Sequence, residues 1–289
     1  MHRIHLRSPA KVNLYLKVIN RRPDGYHNII TLFERINLYD DITFSLNKTG
    51  RIHIDCDHPQ VPTGKKNLIY KTAHLLKQKY DIKEGVNIKI KKRIPVAAGL
   101  AGGSSNAATA LRALNQLWGL QLSQNHLMKY ARHLGSDVAF FLHDTKFALG
   151  TQRGDHIKDL SINYKLWHIL VIPQIKLYAK DVYKILQTGS TNLLTKNKVN
   201  VNILLHYLRK SNFLKIEEFL INDLEKAAVR LYPGLLKLKE RLKSLGCKGV
   251  MVSGSGPCVF GLTETKGQAK KIQSILARRF SQVYVADTI

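Results

Sequence analysis

The sequence predicts an α+β protein in two domains, residues 1–160 and 161–289. Three observations carry this. Alternating strand-like stretches and amphipathic helices mix irregularly rather than repeating as βαβ units. Antiparallel pairing is signalled early, by two strand-like stretches around a turn. The pattern weakens and polar residues rise over residues 150–164, which places the domain division there.

The elements follow in order. "KVNLYLKVI" (Lys11–Ile19) is rich in β-formers, and Pro23-Asp24-Gly25 is a turn: proline presets φ, while aspartate and glycine suit the later turn positions. A second strand is expected over Ile29–Leu38 and a third over Asp41–Leu46. In "NLIYKTAHLLKQKY" Asn67 can cap a helix whose apolar positions Leu68, Thr72, Leu75, Leu76 and Tyr80 keep helical spacing. "VNIKIKKRI" alternates, with Val86, Ile88 and Ile90 on one face and Lys89 and Lys91 on the other. A helix carrying Ala107, Leu111, Leu114 and Trp118 on one side is expected from Ser104 or Ser105. Another runs from Ser123 to Leu134, with Gly135 at the position after a helix that favours glycine. The second domain opens with the strand "WHILVIP" and continues in helices to about Gly246, Pro233 interrupting one of them. It closes with "KGVMVSGSGPCVFGL", a helix over Lys266–Arg279 and the strand "SQVYVAD".

Composition removes several function classes. Hydrophobic residues form 44% of the 289, which is globular rather than disordered, and no apolar run reaches the length of a membrane span. The start of the chain lacks a secretory signal, so a cytoplasmic protein is expected. Cys56, Cys247 and Cys258 have no metal-ligand or CxxC spacing and read as small buried hydrophobes. The net charge of +26 suits a polyanionic partner, but the basic residues are spread along the whole chain, as a general lysine bias would also spread them.

The stretch most informative about chemistry is "IPVAAGLAGGSSNAATALRAL", Ile94–Leu114. A strand, then a glycine-rich loop, then a helix N-terminus make an anion cradle. The first helical turn leaves N–H groups without internal partners, and glycines let a ligand approach them without meeting a Cβ. The hydroxyls of Ser104 and Ser105 can cap the helix or donate to phosphate oxygens. A tight turn with close helix–strand packing would need the same small residues. Neither G-x-x-x-x-G-K-[ST] nor G-x-G-x-x-G after a strand is present, and HExxH, EF-hand and G-x-S-x-G motifs are missing too.

"PVAAGLAGGSSNA" resembles the P-x-x-x-G-L-x-x-S-S-A loop of the GHMP kinases, named for galactokinase, homoserine kinase, mevalonate kinase and phosphomevalonate kinase. "SPAKVNL" and "VSGSGPCVF" resemble that family's other two motifs, in the same order and over nearly the whole chain. "SPAKVNLYLKVINRRPDGYHNIITLF" and "LGSDVAFFL" further resemble the branch that uses ATP to phosphorylate the 2-hydroxyl of CDP-methylerythritol, in the non-mevalonate route to isoprenoids. The resemblance implies an N-terminal lobe like a ribosomal-protein domain, a ferredoxin-like C-terminal lobe, and an active site in the cleft between them.

The same resemblance implies the site residues. Asp137 would be the base for the attacking hydroxyl and Lys11 its cationic neighbour, lowering the Asp137 pKa and attracting the phosphoryl group. Read alone, Asp137 could instead cap the segment after it. Pro95, Val96, Ala97, Ala98, Gly99, Leu100, Ala101, Gly102, Gly103, Ser104 and Ser105 would wrap the phosphates of ATP. Asn67 and Lys92 would lie near adenine and ribose, although Asn67 could serve only as a helix cap. Asn13, Tyr26 and His27 would line the substrate pocket, His27 bonding the cytosine edge and Tyr26 stacking on the base. Tyr183 would close its other face, with Tyr178 nearby. Gly254 and Gly256 would let the second lobe approach the reactive phosphate. Mg²⁺ is expected with ATP, yet no carboxylate cage for it is legible, Asp24, Asp40, Asp41, Asp55 and Asp57 showing no metal spacing. The expected partner is a small molecule bearing a cytidine diphosphate group, not a membrane or a nucleic acid. Two rivals are a GHMP kinase for homoserine, mevalonate or a sugar, and a basic RNA-binding protein.

Overall fold

A computed structural model describes residues 3–188 and 200–289. Strand β1 (Arg3–Arg21) and strand β2 (His27–Asn47) form one long antiparallel ladder, from Arg3 opposite Ser45 to Arg21 opposite His27. Their connection is the expected turn: Gly25 takes φ 85°, and the Tyr26 amide donates to Asp24 Oδ1 at 3.1 Å. The second and third expected strands are one strand. The pairing jumps from Tyr39 opposite Pro9 to Ile36 opposite Ala10, so Asn37 and Leu38 bulge out while the backbone stays extended. The residues read as the gap, Tyr39 and Asp40, pair with Pro9 and Ser8, and the bulge lies just before them, inside the stretch read as the second strand.

Strand β3 (Ile52–Cys56), helix α1 (Leu68–Lys79) and strand β4 (Gly85–Lys91) follow. In β4 Val86, Ile88 and Ile90 are buried while Asn87, Lys89 and Lys91 are exposed. Helices α2 (Gly102–Leu117), α3 (Gln124–Leu134) and α4 (Val138–Leu142) lead to strands β5 (Phe147–Thr151) and β6 (His156–Leu160). Ser123 caps α3 as expected, accepting from the His126 amide. Gly135 has φ 169°, extended backbone open to any residue, so no left-handed turn requires a glycine there. The segment with a weakened pattern is the β5–β6 hairpin. Four of the five β6 residues are at least partly exposed, so its sequence carries no apolar alternation.

The first sheet runs β3-β4-β2-β1, with β5 also on β2 and β6 on β5. One face packs on α1–α4 through Phe33, Phe44, Ile88, Leu111 and Phe140. The other face meets the second sheet through Val12, Leu14, Leu32, Ile36, Leu170 and Phe260. The two-residue period of β1 therefore sends Val12 and Leu14 into the core between the sheets, and Lys11 and Asn13 to the opposite face.

Strand β7 (Trp167–Val171) begins the second half, followed by α5 (Ala179–Thr188), α6 (Val201–Arg209), α7 (Phe213–Ile216) and the two-residue strand β8 (Ile221–Asn222). Helices α8 (Glu225–Leu231) and α9 (Gly234–Ser244) are separated at Pro233 as expected. Strand β9 (Lys248–Val252), strand β10 (Val259–Thr263), helix α10 (Lys266–Leu276) and strand β11 (Val283–Asp287) close the chain. The second sheet is ordered β11-β7-β10-β9 and is antiparallel throughout, with α9 and α10 packed on it through Ile169, Val171, Leu238, Leu242, Ile272 and Leu276. This is the ferredoxin-like arrangement.

Two devices join the halves. β8 lies parallel to Tyr15 and Leu16, at the edge of the first sheet. On the core between the sheets, Glu34 of β2 bonds His168 Nε2 of β7 at 3.0 Å and accepts from Thr288 Oγ1 at 2.5 Å, all three side chains fully or nearly fully buried. No described helix is long and apolar enough to cross a membrane.

Candidate active site

The glycine loop leaves β4 under the control of one carboxylate. Asp40, fully buried, accepts from the amides of Arg93 and Ile94 at 2.8 Å each and from Lys92 Nζ at 2.7 Å. Lys92 also donates to the Ile94 carbonyl at 2.5 Å. Burial lowers the Lys92 pKa, and Asp40 opposes that shift. Lys92 thus borders the cavity, but its ammonium is committed to bracing the loop entrance.

Three residues of the loop take left-handed backbone: Ala97 (φ 53°), Gly99 (φ 79°) and Ala101 (φ 53°). For an alanine this conformation costs about 1–2 kcal/mol, so the surrounding packing holds it in place. Helix α2 starts at Gly102, two or three residues before the expected start at Ser104 or Ser105, and its first internal bond is Ser105 N–H to the Ala101 carbonyl at 2.9 Å. The amides of Gly102, Gly103 and Ser104 lie before that bond and have no partner within the helix. A Cβ on Gly102 would sit 3.0 Å from Lys92 Nζ and 2.9 Å from Ile94 Cγ2, which explains the glycine.

Pro95, Val96, Ala97, Ala98, Gly99, Ala101, Gly102, Gly103 and Ser104 line a cavity of about 470 Å³, together with Asn67 and Lys92. Leu100 and Ser105, expected in the phosphate wrap, do not. Leu100 is buried in the core between the sheets, and its carbonyl accepts the Lys11 amide at 3.2 Å. Ser105 is fully buried and accepts from Ser8 Oγ at 2.7 Å. Neither serine caps α2; the N-cap is Ala101. Asn67 does cap α1, its Oδ1 taking the Ile69 amide and its Nδ2 donating to the Pro62 carbonyl, so it shapes the wall with both polar ends engaged.

Lys11, Asn13 and Asp137 border the same cavity. Lys11 Nζ stands 3.4 Å from Asp137 Oδ2, donates to Asn13 Oδ1 at 2.7 Å and lies 5.4 Å from the centre of the Phe33 ring. Asn13 Nδ2 donates to Thr31 Oγ1, which donates to the Tyr15 carbonyl. The Lys11 side chain is only 5% exposed, whereas Asp137 keeps 31% and faces the opening. Asp137 makes no capping bond to α4, so its carboxylate is not engaged in that way. A buried cation beside a partly open carboxylate, across a cavity from unpaired helix amides, can orient a hydroxyl and stabilise a transferred anion. The second half completes the wall with Gly254 and Ser255. A Cβ on Gly254 would lie 3.2 Å from Asn13 Oδ1 and 3.7 Å from Lys11 Nζ.

Tyr183 also lines the cavity, and its phenol pKa is raised by burial and by the charge of Asp137. His27 stacks on Tyr183, ring centres 4.9 Å apart, and burial together with Arg21 lowers its pKa. Tyr26 is 55% exposed and lies under the Arg153 guanidinium at 5.1 Å. The expected pair of rings around a base is therefore not assembled: the wall carries Tyr183 and Arg153 rather than Tyr26 or His27. Tyr178 lies off the wall, 50% exposed.

The GHMP kinases N terminal domain matches residues 67–145, and the GHMP kinases C terminal domain matches residues 204–282. The chain belongs to the GHMP kinase family. Among proteins of this family it is similar to 4-diphosphocytidyl-2-C-methyl-D-erythritol kinase of Shouchella clausii, 40% identical over 98% of this chain and 94% of that protein. The kinase of the same name from Bacillus subtilis is 37% identical over 99% and 97%. A crystal structure of 4-(cytidine 5'-diphospho)-2C-methyl-D-erythritol kinase superposes with TM-score 0.82 at 32% identity, covering 98% of both chains. A homoserine kinase from Cytophaga hutchinsonii shares the fold at TM-score 0.76 and 21% identity.

Among the residues that shape this cavity, Thr31, Asp40 and Arg153 were not reached from the sequence. Thr31 could have been found from its place two residues before Phe33 on β2. Asp40 gave no signal because its amide partners are 53 and 54 residues away, whereas Arg153 pairs with Asp155 two residues on and with the Arg132 carbonyl, and nothing in that local pair marks it as facing the cavity.

Proposed function

We propose that the protein transfers the terminal phosphoryl group of ATP to the 2-hydroxyl of 4-diphosphocytidyl-2-C-methyl-D-erythritol, giving the 2-phosphate and ADP. The observation that carries this reading is the Lys11–Asp137 pair, facing the α2 amides across one cavity. Relatives that match nearly the whole chain bear that enzyme's name.

The chemistry follows from the placement. The amides of Gly102, Gly103 and Ser104 hold phosphate oxygens at the positive end of α2. The substrate hydroxyl lies against Asp137, whose carboxylate takes its proton as the oxygen attacks the terminal phosphorus and the bond to ADP breaks. Lys11 offsets charge on the transferred group, and Asn13 keeps its ammonium in place. Mg²⁺ enters bound to ATP. Among the described residues no cluster of three or more His, Cys, Asp or Glu could hold a metal ion.

For the cytidine end, Arg153, held in place by its ion pair with the buried Asp155, offers its remaining guanidinium N–H groups to the diphosphate, and Tyr183 offers a flat face to the base. In this reading Tyr26 would leave its place beneath Arg153 for the other face of the base, and His27, whose pKa burial and Arg21 lower, would bond the base edge. Tyr26→Ala is then expected to raise KM for the cytidine substrate about tenfold, with kcat and KM for ATP within twofold. Loss of ATP binding in that variant would refute this layout of the pocket.

We place the division between the lobes at residues 160–161, between β6 and β7, and infer that the enzyme works in the cytoplasm. The function is tested by ADP release coupled to product detection across CDP-methylerythritol, homoserine, mevalonate and galactose. Turnover is expected with the first alone. Phosphorylation of homoserine but not of the cytidine compound would reject the assignment.

A further inference from the structure

The glycine loop of the second half, residues 253–256, approaches Lys11 and Asn13 without touching them through any side chain of its own at Gly254. Something must hold its backbone at that distance. The β9 strand ends at Val252, and the chain turns through Gly254 (φ 54°) and Gly256 (φ 81°) before β10. Left-handed glycines make such a turn easy to form and equally easy to deform.

The side chain of Asn222 is 7% exposed and sits behind this loop. Its Nδ2 donates twice, to the Val252 carbonyl at 2.8 Å and to the Gly254 carbonyl at 2.7 Å. Its Oδ1 accepts the Leu224 amide at 3.0 Å, which fixes which end of the amide faces the loop. Asn222 is itself anchored in the other half: β8 pairs with β1, Asn222 standing opposite Leu16. The adjoining Asp223 accepts the Val18 amide at 2.8 Å, and Glu225 accepts the Val252 amide at 2.7 Å. β1 is the strand that carries Lys11 and Asn13. One short segment therefore ties the strand bearing the reactive lysine to the carbonyl of the glycine that faces it.

We propose that Asn222 is a positioning residue for phosphoryl transfer, setting the distance between the 253–256 loop and Lys11. It rests on the kinase reading above and deepens it. A loop held this way shuts the site around the transferring group. A loop released from it leaves room for water beside the terminal phosphate, and transfer to water competes with transfer to the alcohol. An isosteric Asn222→Asp change turns the two-fold donor into a carboxylate facing two carbonyls, so it removes both bonds and repels the loop at almost unchanged volume. Asn222→Ala removes the bonds without the repulsion.

The test compares wild-type enzyme, Asn222→Ala, Asn222→Asp and Glu217→Ala with ATP and CDP-methylerythritol, measuring kcat, both KM values and ADP formed per alcohol phosphorylated. Glu217 braces the same strand β9 at the Gly249 amide, 3.1 Å away and remote from the cleft, and so reports bracing alone. Asn222→Ala is expected to lose about tenfold to hundredfold in kcat, with KM for the alcohol within threefold. Its ADP-to-product ratio should rise above one, and rise further in Asn222→Asp, while Glu217→Ala keeps wild-type values. Folded Asn222 variants with unchanged kcat and a ratio of one overturn the inference. So does a loss of activity that matches the unfolded fraction in a melting curve with the ratio still at one. Failure of the wild-type enzyme itself to phosphorylate the cytidine compound instead overturns the proposed function.

Discussion

Asp137→Asn is expected to lower kcat by about 10²- to 10⁴-fold while leaving the dissociation constant for ATP within about threefold. The size follows from what the amide cannot do. An asparagine at this position still fills the space beside Lys11, but it has no carboxylate to take the hydroxyl proton, and it removes the charge 3.4 Å from the Lys11 ammonium. The selectivity follows from geometry. Nucleotide phosphates are assigned to the amides of Gly102, Gly103 and Ser104, whose position depends on Asp40 and on the left-handed residues of the loop, not on Asp137. Fold stability should fall only modestly: the nearly buried Lys11 ammonium loses its carboxylate partner but keeps its bond to Asn13, and Asp137 itself makes no capping bond to α4 and remains 31% exposed. Nucleotide titration by fluorescence and steady-state turnover, run on the same preparation, separate the two effects. Turnover near the wild-type level would show that the hydroxyl loses its proton elsewhere and that Asp137 only orients it.

How much of this was legible before any coordinates depends on distance along the chain. Helix α1 and its cap are local, and both fold as read, but the buried face is Ile69, Thr72, Ala73 and Leu76, with Leu68, Leu75 and Tyr80 only half-buried at its margin. The same holds for β4, whose alternation matches its burial residue by residue. The β2 bulge was missed because only the register against β1 separates a strand with two extra residues from two strands joined by a polar turn. In the site, Lys11 and Asp137 were reached through resemblance to a family, since nothing local distinguishes a strand lysine from any solvated lysine. The structure brings them together because β1 and the start of α4 meet on the helix face of the first sheet. Ser105 was assigned to phosphate for its hydroxyl and its neighbours. Its actual partner, Ser8, is 97 residues away, beyond the reach of any local pattern. The aromatic pocket shows the same limit: Tyr26 and His27 are adjacent, yet one lies under Arg153 and the other against Tyr183.

Gly99→Ala is the substitution expected to damage the fold and the site together. Gly99 holds φ 79°, where a Cβ is strained at the outset. That Cβ would also stand 2.2 Å from the Ser253 carbonyl oxygen and 3.1 Å from the amide nitrogen and carbonyl oxygen of Gly256. These are backbone atoms of the other half, so no side chain can rotate aside. Ser253 Oγ already donates to the Gly99 carbonyl at 3.1 Å, and the Cys258 amide donates to the Ala98 carbonyl at 3.1 Å. Relief therefore requires the two loops to separate and these bonds to break, a loss of about 3 kcal/mol or more in unfolding free energy. Because the loops separate where the phosphates are assigned, KM for ATP should rise at least about tenfold and kcat should fall with it. Gly103→Ala is the informative contrast. It lies in the first turn of α2, and the nearest atom to its added Cβ is Leu68 Cδ1 at 3.9 Å. Stability there should be unchanged or slightly raised, by up to about 1 kcal/mol from helix propensity. Its KM for ATP should still rise, since the methyl group stands beside an amide offered to phosphate. Chemical denaturation of both variants checks the first half, and nucleotide titration the second. A Gly99→Ala protein that unfolds at the wild-type denaturant concentration would mean that the two loops do not meet in solution, and the shared cavity on which the reaction depends would go with them.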